Sequence, residues 1–171
     1  VDAVTFLGAH VVPAGEDPVA YLNLVTGEML DAVAPYVSAV DVFCERGAFT
    51  EDQSRRVLSA CREAGLGLRV HGNQLGPGAG VQLAVEFGAA SVDHVNYLSD
   101  GDVRALAASW VGWNRETGTG TPGTVATCLP ACDLSTRQPL APARELLDAG
   151  VEIALASNCN PGTSYTSSMA F

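Results

Sequence analysis

The sequence has few basic and aromatic residues, only three histidines, and no long apolar run. Its 9 lysines and arginines are outnumbered by 19 aspartates and glutamates, which gives a formal net charge of −10. So few cationic side chains argue against binding to nucleic acid or to an anionic membrane surface. No apolar stretch approaches the ~20 residues that cross a bilayer, and the first residues lack the regions of a signal peptide. We therefore expect a cytoplasmic protein that binds neither nucleic acid nor membrane.

The five cysteines lack the paired spacing of a zinc finger. Cys128 and Cys132 are four positions apart, but no second pair completes a metal-binding pattern. We expect reduced thiols, most of them buried as small apolar side chains. The 171 residues, 47% of them hydrophobic, are enough for one sizeable core and predict a single domain.

Short apolar runs alternate with helical patterns along the chain, which predicts an α/β fold with a parallel sheet and right-handed crossovers. A capping-box pattern at Thr50–Gln53 and an Asp17-Pro18 helix start are the clearest helix signals. The segment 110–123 has no periodicity and is rich in glycine and threonine, so we predict a flexible surface insertion. The six predicted strands are residues 4–9, 40–45, 68–71, 89–94, 124–129 and 151–156.

Every histidine of the chain ends or directly follows one of these strands. His10, His71 and His94 come from three different strands, and parallel α/β folds place their sites at the carboxyl ends of strands. Each imidazole alone could be a hydrogen-bonded strand end without a role in chemistry. Because all three histidines are placed in this way, the sequence instead predicts one shared functional site at the carboxyl ends of the strands.

Five motifs follow one another along the chain, at residues 5–10, 41–45, 70–75, 91–94 and 158–164. They resemble those of the imidazolonepropionase family of the amidohydrolase superfamily, and the resemblance covers nearly the whole chain outside 110–123. It implies part of a metal-dependent (β/α)8 barrel, strands three to eight, without the first strands and the small β-sandwich domain. It also implies hydrolysis of 4-imidazolone-5-propanoate to N-formimino-L-glutamate in histidine degradation, with one zinc or iron ion as cofactor.

The same resemblance implies roles for particular side chains. His71 would bind the metal together with the residue at position 158. His94 would hydrogen-bond the attacking water or the attacked carbonyl, and Gln74 would touch the imidazolone ring. The remaining substrate contacts implied are His10, Asn160, Gly162 and Thr163.

Two departures from the family pattern bear on activity. The His-x-His ligand pair of the family's first strand is absent from the sequence, and Asn158 stands where the family has aspartate. An amide carries no charge and cannot accept the proton of water. The chain alone could therefore be inactive, and a barrel without its first strands leaves apolar edges that predict self-association into homo-oligomers.

Three other interpretations stay open at this point. Another cyclic-amide hydrolase or a deaminase of the superfamily would share the barrel and the ligands. A truncated, non-catalytic homologue would explain Asn158 and the missing His-x-His. A flavodoxin-like binding domain would explain the alternation of strands and helices but not three histidines at strand ends.

Overall fold

Six parallel strands form one sheet, and their order across the sheet is their order along the chain. The computed structural model describes residues 3–169. Each of the six predicted strands is present, with ends shifted by up to two residues. The strands are β1 (Thr5–Ala9), β2 (Ala39–Cys44), β3 (Gly67–Gly72), β4 (Ser91–His94), β5 (Val125–Cys128) and β6 (Ile153–Leu155).

Helices connect the strands, as parallel pairing requires. The capping box predicted at Thr50 is formed, with Thr50 and Gln53 each accepting a hydrogen bond from the other's backbone amide. The helical pattern of the sequence runs from Asp17-Pro18 up to Pro35, but the helix is divided at Gly27, whose φ of −125° and ψ of −109° leave the helical region. The helices are α1 (Pro18–Thr26), α2 (Glu28–Val33), α3 (Glu51–Glu63), α4 (Gly80–Phe87), α5 (Asp100–Ser109), α6 (Pro130–Thr136) and α7 (Ala143–Asp148), with a 3-10 turn at Ala34–Tyr36.

The two faces of the sheet differ in chemistry because successive strand residues point to opposite sides. One face is apolar and packs with helix residues such as Leu58 and Leu83 in the main core. The other face carries Asp41 on β2, His71 on β3 and Asp93 on β4 among its polar residues. Polar side chains thus line one side of the sheet up to the carboxyl ends of the strands.

Residues 110–123 lie outside the helices and strands, as predicted, but they are attached to the body of the protein. Trp110 Nε1 donates a hydrogen bond to Thr124 O at 3.2 Å. The Arg115 guanidinium bonds to the carboxylate of Glu152 and, at 2.7 Å, to Gly150 O. These contacts connect the segment to residues just before β5 and β6, and its flexibility stays a prediction.

The cysteines follow the expectation from their spacing. Cys44, Cys61, Cys128 and Cys132 are buried, Cys159 is exposed, and all five are free thiols. Burial raises the pKa of the Cys61 thiol to about 11, so this side chain is a neutral core residue. Within residues 3–169, no helix is long and apolar enough to span a membrane.

Candidate active site

A cavity of about 430 Å³ opens at the carboxyl ends of the strands. Most residues singled out from the sequence line it, although they come from segments up to about 150 positions apart. Gly162 is not among the lining residues, and its amide donates a hydrogen bond to Asn160 Oδ1 within its own loop. The lining consists of Leu7, His10, Asp41, Phe43, His71, Gln74, Leu75, His94, Asn158, Asn160 and Thr163.

The three imidazoles stand in a row across this mouth. The ring centroids of His10 and His71 are 5.0 Å apart, as are those of His71 and His94, both pairs being edge to face. His10 directly follows β1, where the pairing with β2 contains an irregularity between Phe6 and Ala9. His94 ends β4 with a φ of 82°, so the chain leaves strand geometry where its side chain meets the cavity.

Asp41 lies between His10 and His71 and was given no role from the sequence. Its Oδ2 is 2.7 Å from His71 Nδ1 and 3.4 Å from His10 Nε2. Neither nitrogen has an aligned hydrogen-bond partner within the described chain, nor does Asp41 Oδ1. Buried polar groups without hydrogen-bond partners are rare, so these atoms are suited to take up protons or to bind a cation.

The charges of this cluster are set by burial and by mutual proximity. Burial alone would raise the pKa of Asp41, but His10 and His71 together lower it to about 2. Burial disfavours a charged His71, yet Asp41 and then Asp93 raise the pKa of His71 overall. Burial, followed by repulsion from His71, lowers the pKa of His94 to about 3. At neutral pH the site therefore has an ionised Asp41 and a neutral His94.

These residues fit a divalent cation. His10, Asp41 and His71 each offer one ligand atom, and the three atoms lie within 4.8 Å of one another. Two imidazoles and a carboxylate are a donor set that zinc accepts, and a carboxylate in such a cluster can instead orient an imidazole that binds the ion. Asn158 lines the same cavity, with a left-handed backbone conformation at φ 49°, and can add a neutral amide oxygen.

The loop after β3 is fixed by a carboxylate that sequence reasoning also missed. Glu45 Oε1 accepts hydrogen bonds from the backbone amides of Gln74 and Leu75, at 2.5 and 3.3 Å. The Gln74 side chain is buried and its Nε2 faces Cys132 Sγ at 3.8 Å. The sequence did hold one signal that could have placed Glu45 at the site. Glu45 directly follows β2, and residues that follow parallel strands meet at one edge of the sheet.

The loop after β6 is organised by the side chain of Asn160. Its Oδ1 accepts from the amides of Gly162 and Thr163, both at 2.8 Å. Its Nδ2 donates to Asn158 O at 2.6 Å and to Thr163 Oγ1 at 2.9 Å. Asn160 therefore shapes the loop that brings Asn158 and Thr163 to the cavity.

Solved structures of similar fold define the class of this architecture. The adenine deaminase of Arthrobacter aurescens has a TM-score of 0.63 at 16% identity, covering 90% of this chain and 43% of that one. A zinc-bound adenosine deaminase from Xanthomonas campestris has a TM-score of 0.60 at 14% identity, covering 95% and 38%. The predicted fold class is confirmed: the chain is a parallel α/β fold that matches part of these longer enzymes.

Sequence relatives make the comparison more specific. The chain is 78% identical to the imidazolonepropionase of Paenarthrobacter aurescens over 171 residues, and 68% identical to that of Micrococcus luteus. The resemblance found in the sequence motifs is thus confirmed over the whole chain. The chain spans 42% of the length of the first relative and 43% of the second. No family model matches the sequence.

Proposed function

We propose that the chain is the part of an imidazolonepropionase that carries the cavity at the carboxyl ends of the barrel strands. The reaction would be hydrolytic ring opening of 4-imidazolone-5-propanoate to N-formimino-L-glutamate, a step in histidine degradation. The observation that carries the proposal is the meeting of His10, His71, His94 and Asn158 in one cavity. The name shared by relatives at 68–78% identity supplies the substrate.

A divalent ion at His71 and Asn158 is part of this proposal. When bound, such an ion supplies a Lewis acid and lowers the pKa of water to about 7. His71 offers a neutral imidazole nitrogen, the common donor to zinc and iron. The choice between zinc and iron is open.

His94 is proposed to act on the carbonyl of the substrate. Its lowered pKa, about 3, keeps the ring neutral at physiological pH, so it can donate a hydrogen bond without carrying charge. A base with so low a pKa is a weak proton acceptor. Of the two roles implied by the family resemblance, polarising the carbonyl therefore suits this imidazole better.

The substrate ring would lie between the loops after β1, β3 and β6. His10 and Thr163 line the cavity and can meet polar atoms of a ligand directly. The buried Gln74 presents an amide from a loop held by Glu45. Asn160 and Gly162 would contribute through the shape of their loop, because their hydrogen-bonding groups already serve one another.

A second candidate, a non-catalytic homologue, is favoured by the amide at position 158. Asn158 cannot become the anion that binds a cation strongly and accepts the proton of water. A general base is worth about 10²–10⁴ in rate. We therefore expect the chain with Asn158 to be slower than the same chain with Asn158→Asp.

One set of proteins separates these candidates. The chain would replace the matching segment of the Paenarthrobacter aurescens relative, with Asn158 or with Asn158→Asp, and His71→Asn and Cys159→Ser would serve as controls. Metal content and the products of imidazolonepropanoate turnover would be measured. Formiminoglutamate released faster by Asn158→Asp and abolished by His71→Asn supports the proposal. Ammonia release would identify a deaminase, and equal metal affinity and rate in both proteins would mean that position 158 does not face the metal.

A further inference from the structure

Two imidazole nitrogens converge on one oxygen of Asp41. We propose that Asp41 is a positioning residue, which holds the His71 proton on Nδ1, directs Nε2 to the metal, and orients His10 with the same carboxylate. The inference deepens the proposed function and rests on its metal site. It concerns a residue in the interior of β2 rather than one at a strand end.

The position of the proton follows from the distance. His71 Nδ1 and Asp41 Oδ2 are 2.7 Å apart, the short end of the range for a charge-assisted hydrogen bond. Two bare lone pairs would repel at this separation, so a proton lies between the two atoms. Aspartate is ordinarily ionised at neutral pH, so that proton lies on the imidazole, although the N–H direction is not aligned as in an ideal hydrogen bond.

The other neighbours of His71 do not compete for this proton. Asp93 Oδ2 is 3.8 Å from the same Nδ1, beyond hydrogen-bonding distance. His94 contacts His71 edge to face, with the ring centroids 5.0 Å apart. With Nδ1 committed to Asp41, Nε2 is the nitrogen of His71 that keeps a lone pair.

The backbone gives Asp41 the rigidity that positioning needs. In the register of β2 and β3, Phe43 is opposite His71 and Asp41 is opposite Arg69. Asp41 therefore lies two residues below His71 on the same face, between two paired strands. Its side chain is only 6% exposed, so its carboxylate has few alternative orientations.

His10 extends the argument to the proposed substrate contact. Its Nε2 is 3.4 Å from the same Asp41 oxygen, and its ring lies 5.0 Å from that of His71. One carboxylate thus fixes the spacing between a proposed metal ligand and a proposed substrate contact. Carboxylates that bind the second nitrogen of a ligand histidine commonly set its tautomer and basicity.

The tautomer can be measured without metal. In the chain with ¹⁵N-labelled imidazoles, at about pH 9 where histidine is neutral, long-range ¹H–¹⁵N correlations report which nitrogen is protonated. His71→Asn assigns the signal, since the chain has 3 histidines. We expect Nδ1–H in the parent chain and in Asp41→Glu, and a shift toward Nε2–H in Asp41→Asn. Asp133→Asn, a buried carboxylate outside this cluster, should leave the tautomer unchanged.

Protonation of His71 at Nε2 in the parent, or an unchanged tautomer in folded Asp41→Asn, would overturn the proposal. Zinc affinity, measured by competition with a chromophoric chelator, should fall about 10–100-fold in Asp41→Asn. X-ray absorption showing that the zinc loses an oxygen ligand in that variant would make Asp41 a direct ligand and would also overturn it. The expected tautomer with no zinc binding in any variant would support the role of Asp41 and refute the proposed metal site.

Discussion

Gly72 and Gly80 bring the end of β3 and the start of α4 into backbone contact, and we expect Gly72→Ala to separate them. A Cβ at Gly72 would lie 2.7 Å from Gly80 Cα and 3.1 Å from its carbonyl carbon. Carbon atoms pack best at about 3.5–4.0 Å, so one element must move by roughly 1 Å. Gly72 is paired with both Cys44 and His94, which leaves α4 to shift.

Overpacking of this kind costs about 1–3 kcal/mol. For a chain of this size each kcal/mol lowers the melting temperature by about 2–4 °C, so Gly72→Ala should melt about 2–12 °C below the parent. Gly76→Ala, in the loop that joins β3 to α4, is the matched control, because nothing lies within 4 Å of its added Cβ. It should change stability by less than about 0.5 kcal/mol. Thermal unfolding followed by circular dichroism measures both, and equal midpoints for the two variants would refute the close-approach argument.

Three further predictions concern acid stability, association and loop order. In the folded protein the pKa of His94 is lowered from 6.5 to about 3. Its contribution to the free energy of unfolding is therefore complete above pH 6.5 and is lost as the pH falls toward 3. Denaturant titrations of His94→Gln should show a weaker pH dependence across that window, and an unchanged slope would contradict this. Leu7 on β1 is 54% exposed, so sedimentation should detect concentration-dependent association that Leu7→Lys reduces; a monomer at every concentration would exclude it. Glu45→Ala should speed amide hydrogen exchange at Gln74, whereas Glu63→Ala, on exposed α3 surface, should not.

The position of the site could be predicted because its signals are local. A histidine at the end of an apolar run predicts a mouth residue wherever strands are parallel, and His10, His71 and His94 do line one cavity. Their roles stay predictions, since geometry alone does not assign chemistry.

Asp41 could not be placed because its importance depends on register. Within the run Val40–Cys44 it is one polar residue of a buried strand, with no local feature that separates it from a structural carboxylate. Only the pairing of Phe43 with His71 brings Asp41 under that imidazole. This register depends on both strands, so the sequence of one strand alone does not predict it.

Helix α6 was missed for a different reason. Pro130–Thr136 is short, and Leu129 at its start provides no side-chain cap, so the usual start signals are lacking. The helix nevertheless matters to the site, because it brings Cys132 against the amide of Gln74. The division of α1 from α2 was likewise missed, since a single glycine inside an apolar helical pattern is often tolerated.

The hydrogen bonds of Asn160 have a consequence for how the protein ages. Asparagine side chains deamidate when the backbone nitrogen of the following residue attacks the amide carbon, and this attack requires an N–H. The next residue is Pro161, whose nitrogen has no hydrogen. The Asn160 amide, on which the whole loop depends, is therefore protected from this route of deamidation. The loop after β6 should keep its shape longer than a loop that depends on an asparagine followed by a residue with an N–H.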